Sequence, residues 1–133
     1  MTPAAARRRR ADNEAGITSL EVAVLLPLVL IIIVTVVQVA LLSFARGGAL
    51  AAARAGARDG AAYRSSASVG ATGAKAFVNQ QVGDMLTGVG ASTVGSSGTE
   101  TRITVTGSAI QLIPGLPFSV SETSELPNEE FTP

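Results

Sequence analysis

The distribution of hydrophobic residues divides the chain into a polar start, a long apolar run and a mixed remainder. Residues 1–16 are polar, and we interpret them as a leader that contributes nothing to a core. Residues 22–42 form an uncharged run, VAVLLPLVLIIIVTVVQVALL, interrupted only by Pro27, Thr35 and Gln38. As a helix this run is roughly 30 Å long, which matches the hydrocarbon thickness of a bilayer. The pattern therefore predicts a transmembrane helix at residues 22–42.

Three other interpretations of the apolar run fit the sequence less well. A buried helix of a soluble bundle would need apolar neighbours, and no other segment is apolar enough to surround it. A cleaved secretory signal, with a small-x-small site at residues 49–51, would have an apolar region of about 7–15 residues, which is shorter than this one. A twin-arginine signal is disfavoured because the arginine run leads into polar residues.

Alanine and arginine dominate the segment that follows, so the helix is predicted to continue, giving one long helix over residues 17–64. Small residues recur at every fourth position in two adjacent rows, Gly48, Ala52, Gly56 and Gly60 beside Ala49, Ala53, Ala57 and Ala61. Such rows let another helix backbone approach closely, although an alanine-rich composition alone could also produce them. A third row carries Arg46, Arg54 and Arg58, which makes one side of the helix basic.

The remainder, residues 65–133, has the pattern of a small mixed domain. We predict a loop at 65–73, an amphipathic helix at 74–89, a short strand near 91–94 and a turn at 95–98. An alternating strand at 101–106, an apolar loop at 110–117, a polar strand at 117–126 and a frayed end from Pro127 complete the prediction. The predicted fold class is α+β, with a long N-terminal transmembrane helix, a short helix and a small antiparallel β-meander head.

Composition narrows the chemistry that the chain can perform. The 10 basic and 10 acidic side chains balance, and there is no cysteine or histidine, which excludes thiol nucleophiles, disulfides, histidine bases and zinc sites built on either residue. Asp59, Asp84 and Glu100 are scattered without paired or metal-ligand spacing. We therefore predict no enzyme, no cofactor and no metal. Nucleic-acid binding is not expected from a neutral chain without interleaved aromatic residues.

A short junction separates the leader from the apolar run and carries the most informative motif. It reads GITSLE, from Gly16 to Glu21, and follows the basic leader residues Arg7, Arg8, Arg9 and Arg10. The junction resembles the type IV prepilin processing site, in which a glycine precedes the scissile bond and a glutamate stands fifth after it. With GITSLEVAVLLPLVL, then AAARAGARDGA, a Val/Thr strand and a Pro-Gly-Leu-Pro loop, the chain resembles the TadE-like pilins of the tight-adherence (Flp) pilus from Gly16 to about Glu125.

This resemblance implies processing, topology and partners. A membrane-embedded prepilin peptidase would cut between Gly16 and Ile17 on the cytoplasmic face of the cell membrane. A membrane platform, driven by a cytoplasmic ATPase, would then move the mature chain into an extracellular filament of other pilin subunits. The N-terminus would be cytoplasmic and the C-terminus extracellular, with inner-leaflet lipid phosphates as the expected partners of the leader arginines.

Elementary chemistry gives a reason for the two marked positions of the junction. Gly16 has no side chain, so the backbone before the cut can lie extended in a protease cleft. Cleavage creates an ammonium at Ile17, one helical turn from Glu21, and a carboxylate near a helix N-terminus is favoured. An amine from the next subunit could pair with Glu21 and set the register of assembly. The alternative is an ordinary interfacial glutamate at the end of a membrane helix.

Two other functions remain open at the level of sequence. A pseudopilin of a secretion machine would share the same junction. A single-pass anchored surface protein would keep its leader and carry a recognition patch on its head, but the whole chain has one tyrosine and no tryptophan.

Overall fold

The computed structural model confirms the α+β layout. It describes the secondary structure of residues 3–132 and the side chains of residues 18–132. The elements are α1 (Pro3–Ala61), α2 (Ala67–Phe77), one π-helical turn (Val78–Val82), one 3-10 turn (Gly83–Met85), β1 (Leu86–Ser92), β2 (Glu100–Ala109) and β3 (Ser119–Pro127). The chain divides into two compact units, residues 1–36 and residues 37–133.

The second unit contains a three-stranded antiparallel sheet in the order β1-β2-β3. Strand β2 lies in the middle, and its register with β3 runs without interruption from Glu100 opposite Pro127 to Ser108 opposite Ser119. The pairing of β1 with β2 contains an irregularity between Thr87 and Gly90. Alternate residues of β2 are buried, as the alternating sequence predicts, so one face of the sheet packs inward.

Small side chains form most of the core of this unit. Five alanines of α1 are fully buried: Ala45, Ala49, Ala52, Ala53 and Ala57. Opposite them lie the largest fully buried side chains, Ile103, Val78, Val105 and Thr101. Because an alanine side chain is a single methyl group, the elements packed on α1 must come close to its backbone to exclude water.

Helices α1 and α2 touch through glycine. A Cβ atom added to Gly56 would lie 2.5 Å from the carbonyl oxygen of Gly70 and 2.7 Å from Cβ of Ala74. One turn later, a Cβ atom on Gly60 would lie 3.3 Å from Cα of Gly70 on α2 and 2.8 Å from Cγ2 of Thr101 on β2. These distances are shorter than van der Waals contact, so only glycine fits where the two backbones meet. The geometry resembles that of small-xxx-small helix pairs.

The predicted loop at residues 65–73 is wrong, because α2 begins at Ala67. Ser66 caps this helix, its side chain accepting a 3.4 Å hydrogen bond from the backbone N–H of Val69. Gly70 and Gly73 lower the intrinsic helix propensity of this segment, which is why its sequence predicts a loop. Contact with α1 overrides that propensity at Gly70, where an added Cβ atom would meet the backbone of Gly56, whereas one on Gly73 would meet only the side chain of Asp59.

The predicted helix at residues 74–89 is correct only in its first part. Gly83 adopts φ +60° and ψ −141°, a backbone conformation that is nearly restricted to glycine and cannot continue a helix. Leu86 then begins β1, which replaces both the end of the predicted helix and the predicted short strand near 91–94. The spacing of Val78, Val82 and Leu86 imitates a helix, although the last of these three residues is buried from a strand.

The segment after β3, predicted to be frayed, is hydrogen-bonded. The backbone N–H of Asn128 donates to the carbonyl of Thr99 over 2.8 Å, and its side-chain oxygen accepts from Thr101 Oγ1 over 2.7 Å. The backbone N–H of Glu129 donates to the carbonyl of Ala61 over 2.8 Å, at the C-terminal end of α1. These bonds fasten the end of the chain to both β2 and α1.

We predict that Gly56→Ala destabilises the head, because its methyl group meets the backbone of α2 and neither helix can yield without losing core contacts. The expected loss is about 1–3 kcal/mol in the free energy of unfolding. Chemical unfolding of the full chain in detergent micelles, followed by circular dichroism, measures it.

Gly47→Ala is the matched control, since this exposed α1 glycine has no atom within 4 Å of an added Cβ atom. There the better helix propensity of alanine should stabilise by about 0.5–1 kcal/mol. Equal effects of the two substitutions would contradict the close contact of α1 and α2.

The outer face of the sheet is polar and carries a small charge cluster. Arg102 on β2 forms a 2.5 Å ion pair with Glu125 on β3. Glu100 lies beside the carboxylate of Glu125. A side-chain hydrogen bond with Glu125 and, to a smaller extent, charge repulsion by Glu125 raise the pKa of Glu100 above its ordinary value. The raised pKa means that folding favours the protonated form of Glu100.

We therefore predict that Glu100→Gln raises the melting temperature slightly at pH 7 and leaves it unchanged at pH 3. Glu100 stabilises the fold at low pH, where its carboxyl group is protonated. This stabilisation is lost as pH rises through its raised folded-state pKa. Thermal melts across this pH range provide the measurement. In a Glu125→Gln background the benefit should disappear, and a rise that persists there would argue against repulsion between the two carboxylates.

Candidate functional site

The apolar surface of α1 is the dominant feature of residues 18–37. Within residues 18–37, the large hydrophobic side chains are all exposed: Leu20, Val22, Val24, Leu25, Leu26, Leu28, Val29, Leu30, Ile31, Ile32, Ile33, Val34, Val36 and Val37. Among the described residues, Thr18–Ala61 is one helix that is long and apolar enough to cross a membrane by length and composition. A helix that is apolar on all sides requires lipid or other helices around it.

Polar side chains within and just after the apolar run satisfy their hydrogen bonds inside the chain. Thr35 Oγ1 donates to the carbonyl of Ile31 over 2.8 Å. Ser43 Oγ donates to the carbonyl of Val39 over 2.9 Å. Such internal bonds suit a helix in lipid, where no water is present to replace them.

Gln38 makes a different contact, which the sequence analysis missed. Its side chain is only 3% exposed. Its Nε2 donates to the carbonyl of Ile110 over 2.9 Å, and its Oε1 accepts from the backbone N–H of Leu112 over 2.7 Å. One amide therefore fastens the loop between β2 and β3 to α1. The only sequence signal was an amide inside an otherwise apolar run, with nothing to identify a partner 72 residues away.

The row of small residues predicted for helix packing lies against the chain's own head. A Cβ atom on Gly48 would lie 2.9 Å from Cγ1 of Val82, and Ala52 is fully buried. Gly56 and Gly60 are also buried, against α2 and β2. This surface is thus occupied within the single chain. By contrast, the arginines of the third row, Arg46, Arg54 and Arg58, are exposed.

The predicted junction is only partly within the described side chains. Glu21 lies on α1 and is exposed. Gly16, Ile17 and the leader arginines Arg7, Arg8, Arg9 and Arg10 lie outside the described side chains, and their roles remain predictions.

The described part of the chain offers little that could bind a metal or hold a substrate. Among side chains 18–132, no group of three or more acidic, histidine or cysteine residues is placed to hold a metal ion. A shallow groove of about 420 Å³ between α1 and α2 contains one carboxylate, that of Asp59, beside Ser68 and Thr72. The neighbouring carboxylates Glu100 and Glu125 lie on the outer face of the sheet, where Arg102 pairs with Glu125. What the described geometry provides is contact surface, chiefly the apolar helix.

Residues 16–58 match the family model of TadE-like proteins. This segment is TadE-like. The match begins at the glycine of the junction and includes the whole apolar run and most of the small-residue rows. It confirms that this segment resembles the TadE-like family, and the apolar helix indicates membrane anchoring. No curated protein and no solved structure matches the chain.

Proposed function

We propose that the chain is a TadE-like prepilin, a structural or minor subunit of a Tad/Flp-type pilus that serves adhesion or surface attachment. The single observation that carries this function is the apolar helix, exposed on all sides over residues 18–37, within the segment that matches the TadE-like family. TadE-like pilus proteins are structural. In this function the chain has no catalytic activity and acts through its surfaces.

The proposed sequence of events begins in the cell membrane. The basic leader stays cytoplasmic, in accordance with the preference of arginine-rich flanks for that side, and the head lies outside. The other flank also carries Arg46, Arg54 and Arg58, so the prepilin-type junction decides the orientation. A prepilin peptidase then cuts between Gly16 and Ile17. The assembly platform and its cytoplasmic ATPase move the mature chain into the filament.

Glu21 has a proposed role in assembly that follows from the uniformity of the apolar helix. Sliding one such helix past another by a turn changes the apolar contact very little, so hydrophobic packing alone does not select a register. A single charge pair can select it. If the carboxylate of Glu21 meets the new ammonium of Ile17 in the next subunit, a misplaced subunit leaves both charges unpaired in an apolar environment.

The first test of this function is the mature N-terminus, which we predict to be Ile17. Native membranes from cells that make the peptidase supply the protein, and intact mass with N-terminal sequencing gives the start of the chain. Gly16→Phe should leave the precursor uncut in the membrane, because the bulky side chain prevents an extended fit in the cleft. Gly47→Phe, in the exposed part of α1 with open space around it, is the matched control and should be processed normally.

An uncut leader in those cells, or a mature start near Ala52, would refute the prepilin function. The first result would favour an anchored surface protein, and the second a secreted one.

The second test separates processing from assembly. We predict that Glu21→Ala is cut after Gly16 but accumulates as processed monomer, because losing one partner of a buried ion pair costs about 3–5 kcal/mol. Glu21→Asp should be intermediate, since its shorter arm reaches the amine less well. Immunoblots of membrane and sheared-filament fractions report both steps.

Glu130→Ala is the control for this test, because it removes an exposed carboxylate from the end of the head. It should enter filaments at the wild-type level. Recovery of Glu21→Ala in filaments at that level would show that the carboxylate does not set the register.

A further inference from the structure

The loop between β2 and β3, residues 110–118, has an unusual surface for a connecting segment. Its sequence is IQLIPGLPF, which contains no charged residue. Ile110 is 36% exposed, Leu112 is 45% exposed and Leu116 is 50% exposed. Loops that face water are usually polar, whereas grouped exposed apolar side chains mark a contact surface. The loop is therefore a candidate contact surface of the head.

The contact with Gln38 fixes where this surface lies along α1. Gln38 is within the apolar run 22–42, four residues or about 6 Å before its end at Leu42. Its amide binds the loop at both Ile110 and Leu112. The next charge along α1 is Arg46, eight residues or about 12 Å beyond Gln38. The loop is thus tied to the apolar part of the helix and not to its charged continuation.

The backbone of the loop is also suited to an environment poor in water. Gln38 pairs the carbonyl of Ile110 and the N–H of Leu112, which would otherwise need water. Pro114 and Pro117 have no N–H to satisfy. At the base of the loop, the N–H of Ala109 donates to the carbonyl of Phe118 over 2.9 Å. Each paired group reduces the free-energy cost of placing this irregular backbone at the edge of a membrane.

We propose that loop 110–118 is a lipid-contacting loop, whose Leu112 and Leu116 side chains enter the interfacial region of the leaflet that surrounds the C-terminal end of the apolar run. The occupant of this apolar surface is membrane lipid, because the loop is fastened to the same helix segment that crosses the bilayer. Apolar faces at the membrane interface lie about 5–10 Å into the boundary between headgroups and acyl chains. The contact holds the head against the membrane and does not depend on processing or filament assembly.

Tryptophan fluorescence tests this contact without background, because the chain contains no tryptophan. Leu116→Trp reports on the loop, and Leu112→Trp is a second reporter in case the first variant fails to fold. Val94→Trp is the matched control, since Val94 is 81% exposed just after β1 and remote in sequence from the loop. Each full-length variant is reconstituted in phosphatidylcholine–phosphatidylglycerol vesicles, with lipids brominated on their acyl chains or unbrominated. Circular dichroism verifies folding.

We expect acyl-chain bromine to quench Leu116→Trp roughly threefold more strongly than Val94→Trp, because only the former would reach the boundary between headgroups and acyl chains. Acrylamide, which quenches from water, should give the reverse order. Equal quenching of both variants by acrylamide would overturn the proposal, because the loop would then face water. Protection of Leu116→Trp from both quenchers at all protein-to-lipid ratios would also overturn it, since a second copy of the chain would then cover the loop.

Discussion

The close packing of other elements on the small residues of α1 is the interaction on which the head depends. Alanine and glycine provide little apolar area, so the free energy of burial per side chain is small. The core compensates by bringing backbones together, as the contact of Gly56 with Gly70 shows, and by burying Ile103 and Val105 against the alanine rows. Without residues 45–61 of α1, the sheet and α2 would have no surface to cover. The head is therefore not independent of the helix that anchors it.

The same helix meets two different requirements along its length. Residues 18–37 present large aliphatic side chains on every side, which suits lipid or other apolar helices. From Ala45 onward the buried residues of α1 are all alanine or glycine, and Arg46, Arg54 and Arg58 are exposed. Gln38 and Ser43 mark the transition, and both hydrogen-bond within the chain. The apolar run is thus followed, without a break in α1, by a segment whose small residues pack against the head.

Sequence patterns predicted those parts of the fold that depend on local periodicity. The uncharged run predicted the membrane helix, and the alternation of TRITVT predicted β2. Small residues at every fourth position identified the closely packed faces of α1. The errors arose where tertiary contact outweighs local propensity. Gly70 and Gly73 suggested a loop, and the close approach of the α1 backbone at Gly70 explains why this segment packs as a helix. The pairing of Asn128 with Thr101 spans 27 residues, so no local pattern contains it.

The candidate site also combines features that a local sequence pattern shows with one that depends on tertiary contact. The junction and the apolar helix are linear features, and the TadE-like match covers both. The link between Gln38 and the β2–β3 loop is a non-local feature, and from sequence the amide looked like an interruption of the apolar run. The structure explains why a polar residue stands at position 38. The donors and acceptors of a buried amide must be paired, and the adjacent loop backbone has the complementary groups. Leucine at position 38 would favour lipid more strongly but could not pair the loop. The chain thus gives up some apolar surface in its membrane helix to hold the β2–β3 loop against it.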